Sequence, residues 1–462
     1  MPIASRFSSF QRVAISVCAL ASLCLLAGLL YAIGISPIPL VLLSIGALTI
    51  ALAYQNTTYC LGVFLFIMPM FTLMFLLAKF FGPSYIGKLE GSERGVLLIL
   101  TVFLAVRNSL RLVTADFLVL ACFFFCLVRL ALDGSALALV ADFGFMVVYF
   151  AGRLTRLTEE QQERWARIAV WIVAIIAVAG LFEVFALGAG PRTILYLRVA
   201  EGSTDNGVAL NASFRASGFS GLRESGTMLG PLQFGPLCMV ALILWWVYSR
   251  KPLPGAMILA GLVCSLTRSA WVGTLVAILL LAIMMRQLRK LALYGAIALA
   301  LLVAAIPFIG IGDYISKNRD KSDVSADQHK NSVQQGLLFV MEHPLGAGSD
   351  NVGRQALKTN DNATYFENAY LTLAGGYGIP MVLGLLAFIA ELLRLGVRAK
   401  NKLGYAVFGI LAGFSVELTT VTLHDVFPLA CWIWFPAGLL VTEMTNRKRR
   451  LAPAIPYVQP AR

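Results

Sequence analysis

PGAMILAGLVCSLTRSAWVGTLVAILLLAIMM, residues 254–285, decides the fold of this chain. Two apolar runs meet at a single charged residue, Arg268. The run before it, Pro254 to Leu266, has 13 residues, about 20 Å of helix against a hydrocarbon core of about 30 Å. The pattern reads as a hairpin of membrane helices whose arginine cannot reach open water by span length alone. An arginine at that depth is costly, faces protein or a water-filled cavity, and marks a functional site. An arginine snorkelling from a helix end would mark nothing. The surrounding sequence has to separate the two.

The whole chain repeats that composition. Its 462 residues are 59% hydrophobic and 13% charged, with a mean hydropathy of +0.80, whereas a soluble domain is about 25% charged. The alternation and polar lumen of an outer-membrane barrel are absent. An all-α polytopic membrane protein follows. Spans are predicted at 12–33, 37–54, 60–81, 93–107, 114–132, 135–152, 166–188, 227–249, 252–266, 270–286, 290–309, 369–393, 403–420 and 426–443. That is fourteen, or twelve if two short neighbouring segments are re-entrant.

The net charge of +13 does not point to nucleic acid. The basic residues fall in short runs beside apolar spans: Arg6 and Arg12, Arg107 and Arg111, Arg153 to Arg167, Arg250-Lys251, Arg286 to Lys290, Arg394 to Lys402, and Arg447 to Arg450. With the N-terminus inside, every run lands on the cytoplasmic side, as the positive-inside rule requires. Both termini are then cytoplasmic, and residues 444–462 form a basic tail. The run from Val13 to Ile33 has no clear small-residue cleavage site and reads as a retained first helix. The eight cysteines, Cys18, Cys24, Cys60, Cys122, Cys126, Cys238, Cys264 and Cys431, lie in or at the edges of apolar spans. Neither a disulfide framework nor a zinc site fits that placement.

In this topology two long polar loops, 188–226 and 310–368, emerge on the face that Arg268 occupies. Loops of such length in a compact domain are usually functional. The first ends in ASFRASGFSGLRESG, residues 212–226. Its glycines permit close backbone approach to a ligand, and Arg215 and Arg223 are suited to holding phosphate bidentately. Arg223 and Glu224 could equally satisfy each other as a surface ion pair. In the second loop Ser332 to Met341 is predicted to form an amphipathic helix with Val333, Leu337, Val340 and Met341 on one stripe, lying on the bilayer or covering a cavity. His343-Pro344-Leu345-Gly346-Ala347-Gly348 follows as a turn, with Gly346 and Gly348 as a weak candidate anion cradle. Glu367 and Asn368 stand where the chain re-enters the membrane, with Tyr370 just beyond. Glu367 could act as a base toward a sugar hydroxyl, and Asn368 could equally cap the helix. His329, in the hydrophilic part of the loop, reads as solvated. Asp142, Glu183, Glu391, Glu417, His424 and Asp425 lie in or near spans and would suit a proton path, but no paired broken helices accompany them.

Three stretches in order resemble the O-antigen ligase and polymerase superfamily of bacterial envelopes. They are Arg215 to Gly218 (Arg-x-x-Gly); Thr267-Arg268-Ser269-Ala270-Trp271-Val272-Gly273; and His343 to Gly348 followed by Asn368-Ala369-Tyr370-Leu371 and Gly378-Ile379-Pro380. The resemblance covers residues 135–443, with 1–134 matching only as generic membrane helices. It implies an inner-membrane glycosyltransferase acting at the periplasmic face on undecaprenyl-diphosphate-linked glycan, alongside other assembly proteins such as a flippase and a chain-length regulator. Arg215 and Arg268 would hold the diphosphate, with Arg223 assisting. Glu224, Asn368, Tyr370 and His343 would line the substrate site. No metal or cofactor is needed.

One departure matters. The ligases carry His where this chain has Glu367, which favours polymerisation of lipid-linked repeat units over ligation to lipid A core. A flippase or proton-coupled transporter, or a non-catalytic assembly partner, are the rivals from other classes.

Overall fold

The computed structural model describes residues 56–70, 92–133, 136–187, 227–228, 231–249, 251–293, 295, 324–353, 356–358, 360, 362–424 and 426–451. Among these the fold is all-helical, with one isolated bridge between Val352 and Thr364. The helices are α1 (Asn56–Met70), α2 (Ser92–Arg107), α3 (Thr114–Asp133), α4 (Ala136–Leu154), α5 (Glu159–Phe182), α6 (Pro231–Tyr248), α7 (Pro252–Cys264), α8 (Arg268–Met284), α9 (Val324–Glu342), α10 (Ala369–Tyr377), α11 (Ile379–Ala399), α12 (Lys402–Glu417) and α13 (Phe427–Leu451). Thr114–Leu132, Glu159–Ala186, Ile379–Ala399 and Phe427–Arg447 are long and apolar enough to cross a membrane, and α1, α6, α7 and α8 are shorter apolar helices. This is a polytopic membrane protein. The first two predicted spans and most of the one at 290–309 lie outside the described residues.

The predicted span 369–393 is in fact two helices. Gly378 adopts φ +99 between α10 and α11, a conformation that L side chains rarely tolerate, and Pro380 restarts the helix.

Apolar side chains gain little by leaving lipid for protein, so close packing through small residues has to hold the helices together. Gly152 of α4 and Gly438 of α13 bring two backbones together. A Cβ on Gly152 would lie 2.2 Å from the Phe435 carbonyl oxygen, and one on Gly438 would lie 2.1 Å from that of Tyr149. Gly273 of α8 and Gly413 of α12 do the same for another pair. Helix α6 sits in the middle, with Phe234 and Leu237 to Ile243 nearly all inaccessible. A helix apolar on every side requires such a position.

Polar contacts sort the helix ends into two groups. At one end the capping box of Thr158 and Gln161 starts α5. There, too, Lys402 pairs with Glu163, Arg447 donates to the Ala399 carbonyl, and Arg153 meets Asp116. Arg153 is more than a member of a basic run. Its guanidinium is buried and holds both oxygens of Asp116 at 2.8 Å, with Thr442 and the Arg111 carbonyl as further acceptors. This basic end ties α3, α4 and α13 together. Arg268, Asn368 and His424 belong to the opposite end.

Candidate functional site at the end opposite the basic cluster

Arg215, Arg223 and Glu224 lie outside the described residues, as does Asp425. Arg268 is the first residue of α8. The turn leading to it is tight: Leu266 has φ +51, and Ser265 and Thr267 are buried. Arg268 itself is solvent-accessible among the described residues. Next to it, Ser269 donates a 3.0 Å hydrogen bond to Glu417, which is fully buried at the end of α12. Its other carboxylate oxygen has no hydrogen-bond partner among the described residues.

Glu367 is half exposed and bonded to His329. The imidazole Nδ1 lies 3.0 Å from Glu367 Oε2, with the two side chains 30% and 49% accessible. Reading His329 as simply solvated is therefore corrected. The cause is the periodicity of α9, which begins at Val324, before the predicted Ser332. Residues 329, 332, 333, 336 and 340 share one helix face, and that face meets the 366–371 segment. Ser332 Oγ accepts from the Glu367 backbone N–H at 3.0 Å. Gly336 admits Phe366 and Leu371, and Phe339 packs on Phe366 with ring centroids 5.6 Å apart. The predicted stripe is accordingly split: Val340 is buried, whereas Leu337 and Met341 are exposed. The buried face is organised around a glycine rather than around the largest apolar residues.

The remaining candidates have structural partners. Asn368 caps α10, accepting from the Leu371 N–H at 3.0 Å while its amide donates to the Thr419 carbonyl at 2.8 Å. Tyr370 reaches the Ser415 carbonyl at 3.4 Å, a long bond for a hydroxyl. His343 ends α9, exposed, stacked on Phe339 and 3.1 Å from the Phe339 carbonyl.

The glycine turn after it is not an anion cradle. Its N–H groups are used internally: Gly346 to the His343 carbonyl, Ala347 to Gly375 at 2.6 Å, and Gly348 to Gly376 at 3.2 Å. Gly346 (φ +87) and Gly378 pack backbone to backbone, so the turn is a clamp on the α10–α11 break.

Contacts along residues 417–422 join these parts. The Ala369 N–H donates to Leu418, Asn368 to Thr419, and Tyr365 is hydrogen-bonded to Thr422. Arg268 and Glu367 are thus each one residue from a contact to the C-terminal end of α12. The scattered acids do not share one environment. Asp142 accepts from Tyr377 at 2.8 Å and meets His424 at 3.2 Å, bracing α4 against α10 and the turn before α13. Glu391 instead pairs with Arg394 on the same helix and lines a cavity with Arg111.

A carboxylate holding an imidazole at Nδ1 leaves Nε2 as the basic nitrogen. A guanidinium at the same end of the bundle can hold phosphate oxygens. Together they can take a proton from a hydroxyl and stabilise an anionic leaving group.

Residues 253–389 match the family model described as O-antigen ligase. The matched segment holds Arg268, His329, Glu367, Asn368 and the glycine clamp. The match supports the O-antigen ligase and polymerase superfamily and an activity of that type. It is narrower than the resemblance seen in the sequence and does not reach Arg215. No curated protein matches the chain.

Proposed function

We propose that the protein polymerises undecaprenyl-diphosphate-linked oligosaccharide repeat units at the periplasmic face of a bacterial inner membrane. The hydroxyl oxygen of an acceptor repeat unit attacks the anomeric carbon of the donor sugar. The bond from that carbon to the carrier diphosphate breaks as the new glycosidic bond forms, with inversion. The hydroxyl proton passes to His329 Nε2 while Glu367 holds Nδ1. Arg268, with Arg215 and Arg223, receives the departing diphosphate, whose developing charge fixed guanidinium groups stabilise.

The carrying observation is the His329–Glu367 pair, half exposed and next to Asn368, which contacts the same end of α12 as Ser269, the neighbour of Arg268. The same pair gives weight to a second reading. It brings an imidazole to Glu367, the position at which the resembling ligases carry His, so transfer to lipid A core is the alternative outcome.

Reconstitution of the full chain with carrier-linked repeat units, without lipid A core, separates these readings when product lengths are resolved on a gel. A ladder is expected. Product only after lipid A core is added would make the protein a ligase. No transfer in either case would return the scattered acids to consideration for transport.

A further inference from the structure

The basic end of the bundle, remote from Arg268, contains a cavity of about 490 Å³, within the range of small-molecule sites. Four cations line it: Arg167 of α5, Lys251 before α7, Lys290 beyond α8 and Lys402 of α12. We propose that this cavity binds a phosphate-bearing anion, the headgroup of an anionic phospholipid.

The cations come from four separate stretches of chain. A topogenic signal needs positive charge near each span end but does not need the charges to converge on one cavity. Glu163 is the lone carboxylate among the described lining residues, and it is shared between Arg167 at 3.0 Å and Lys402 at 3.2 Å. The lining therefore carries one negative charge against four positive ones, with Glu159 and Glu443 acting on the lining Tyr248 from outside it. The walls suit the depth of a headgroup. Trp171, Trp246 and Tyr405 line the cavity, amphipathic rings of the kind that collect at the membrane interface. Lys290 Nζ stands 4.6 Å over the Trp246 ring, a cation–π contact that holds the ammonium at the apolar wall. Phosphate oxygens would meet the cations while glycerol and the first acyl methylenes lie along Val170 and the rings. Basic pockets between membrane helices on one leaflet recognise anionic headgroups by this combination. This inference does not depend on the glycosyltransferase reading.

The test is native mass spectrometry of the purified full chain in neutral detergent, titrated separately with dioctanoyl phosphatidylglycerol, dioctanoyl phosphatidylcholine and inorganic phosphate. Saturable binding of phosphatidylglycerol is expected at concentrations where the other two do not bind. At roughly a fivefold loss of affinity per lysine, Lys251→Gln with Lys290→Gln should weaken that binding about 25-fold. Glu163→Gln removes the single lining carboxylate and should tighten it, an effect that misfolding cannot imitate. Arg156→Gln, at the same end but lining a different cavity, should change nothing. Equal binding of the two lipids, or phosphatidylglycerol binding unaffected by the double lysine variant, would overturn the proposal. Inorganic phosphate binding as tightly as phosphatidylglycerol would overturn the lipid assignment in favour of a soluble anion.

Discussion

Removing either half of the His329–Glu367 pair should slow glycan transfer far more than it destabilises the fold. The two side chains are 30% and 49% accessible and 3.0 Å apart. An ion pair so exposed contributes about 0–1 kcal/mol to stability. A positioned base contributes about 10²- to 10⁴-fold to rate, and even the lower figure is about 2.7 kcal/mol of barrier. The two roles therefore differ by more than the error of a rate measurement. The variants are His329→Ala, Glu367→Gln and the double substitution, assayed by initial rate of ladder growth in proteoliposomes alongside thermal unfolding. Each single variant should lose about 100-fold or more with little change in unfolding temperature. Residues that act as one unit are strongly non-additive, so the double variant should be no slower than the worse single one. Full activity in His329→Ala with none in Glu367→Gln would show that the carboxylate works alone. Losses that multiply in the double variant would show two separate roles.

Arg268→Lys keeps the charge but loses the planar fork, and should cut turnover at least about tenfold. Asn368→Ala removes the α10 cap and the bond to Thr419. It should lower stability by about 1 kcal/mol, read as a fall in unfolding temperature, while Asn368→Ser retains the cap and recovers most of it. Asp116→Asn leaves the buried Arg153 guanidinium without its carboxylate and should cost about 3–5 kcal/mol. That change lies at the basic end, so protein that still folds should retain its transfer rate per molecule.

The membrane helices were legible because their bounds are written in hydropathy and charge: the span read at 114–132 is the helix Thr114–Asp133. The break at Gly378 was harder to see. Tyr377 and Ile379 keep the run apolar across it, and only the Gly-Ile-Pro order signals a helix stop and restart. The face of α9 that packs on the 366–371 segment is hidden in the sequence for a related reason. Leu337 and Met341 dominate an apolar stripe, but the contact with Phe366 requires Gly336, which a hydropathy pattern does not count. His329 was missed because its partner lies 38 residues further on, and no local pattern sets that distance. Arg268 stands out in the sequence for its place between two apolar runs. Its candidacy now rests on its place beside the Ser269–Glu417 contact and within the matched segment.

Under the proposed function, a lipid-linked glycan is transferred with loss of its carrier diphosphate at the end of the bundle holding Arg268, His329 and Glu367. Counting free undecaprenyl diphosphate against glycosidic bonds formed by the reconstituted chain tests it most directly. One carrier diphosphate released for each bond is expected, with both products lost together in Arg268→Ala. Bond formation without carrier release, or release that persists undiminished in Arg268→Ala, would contradict it.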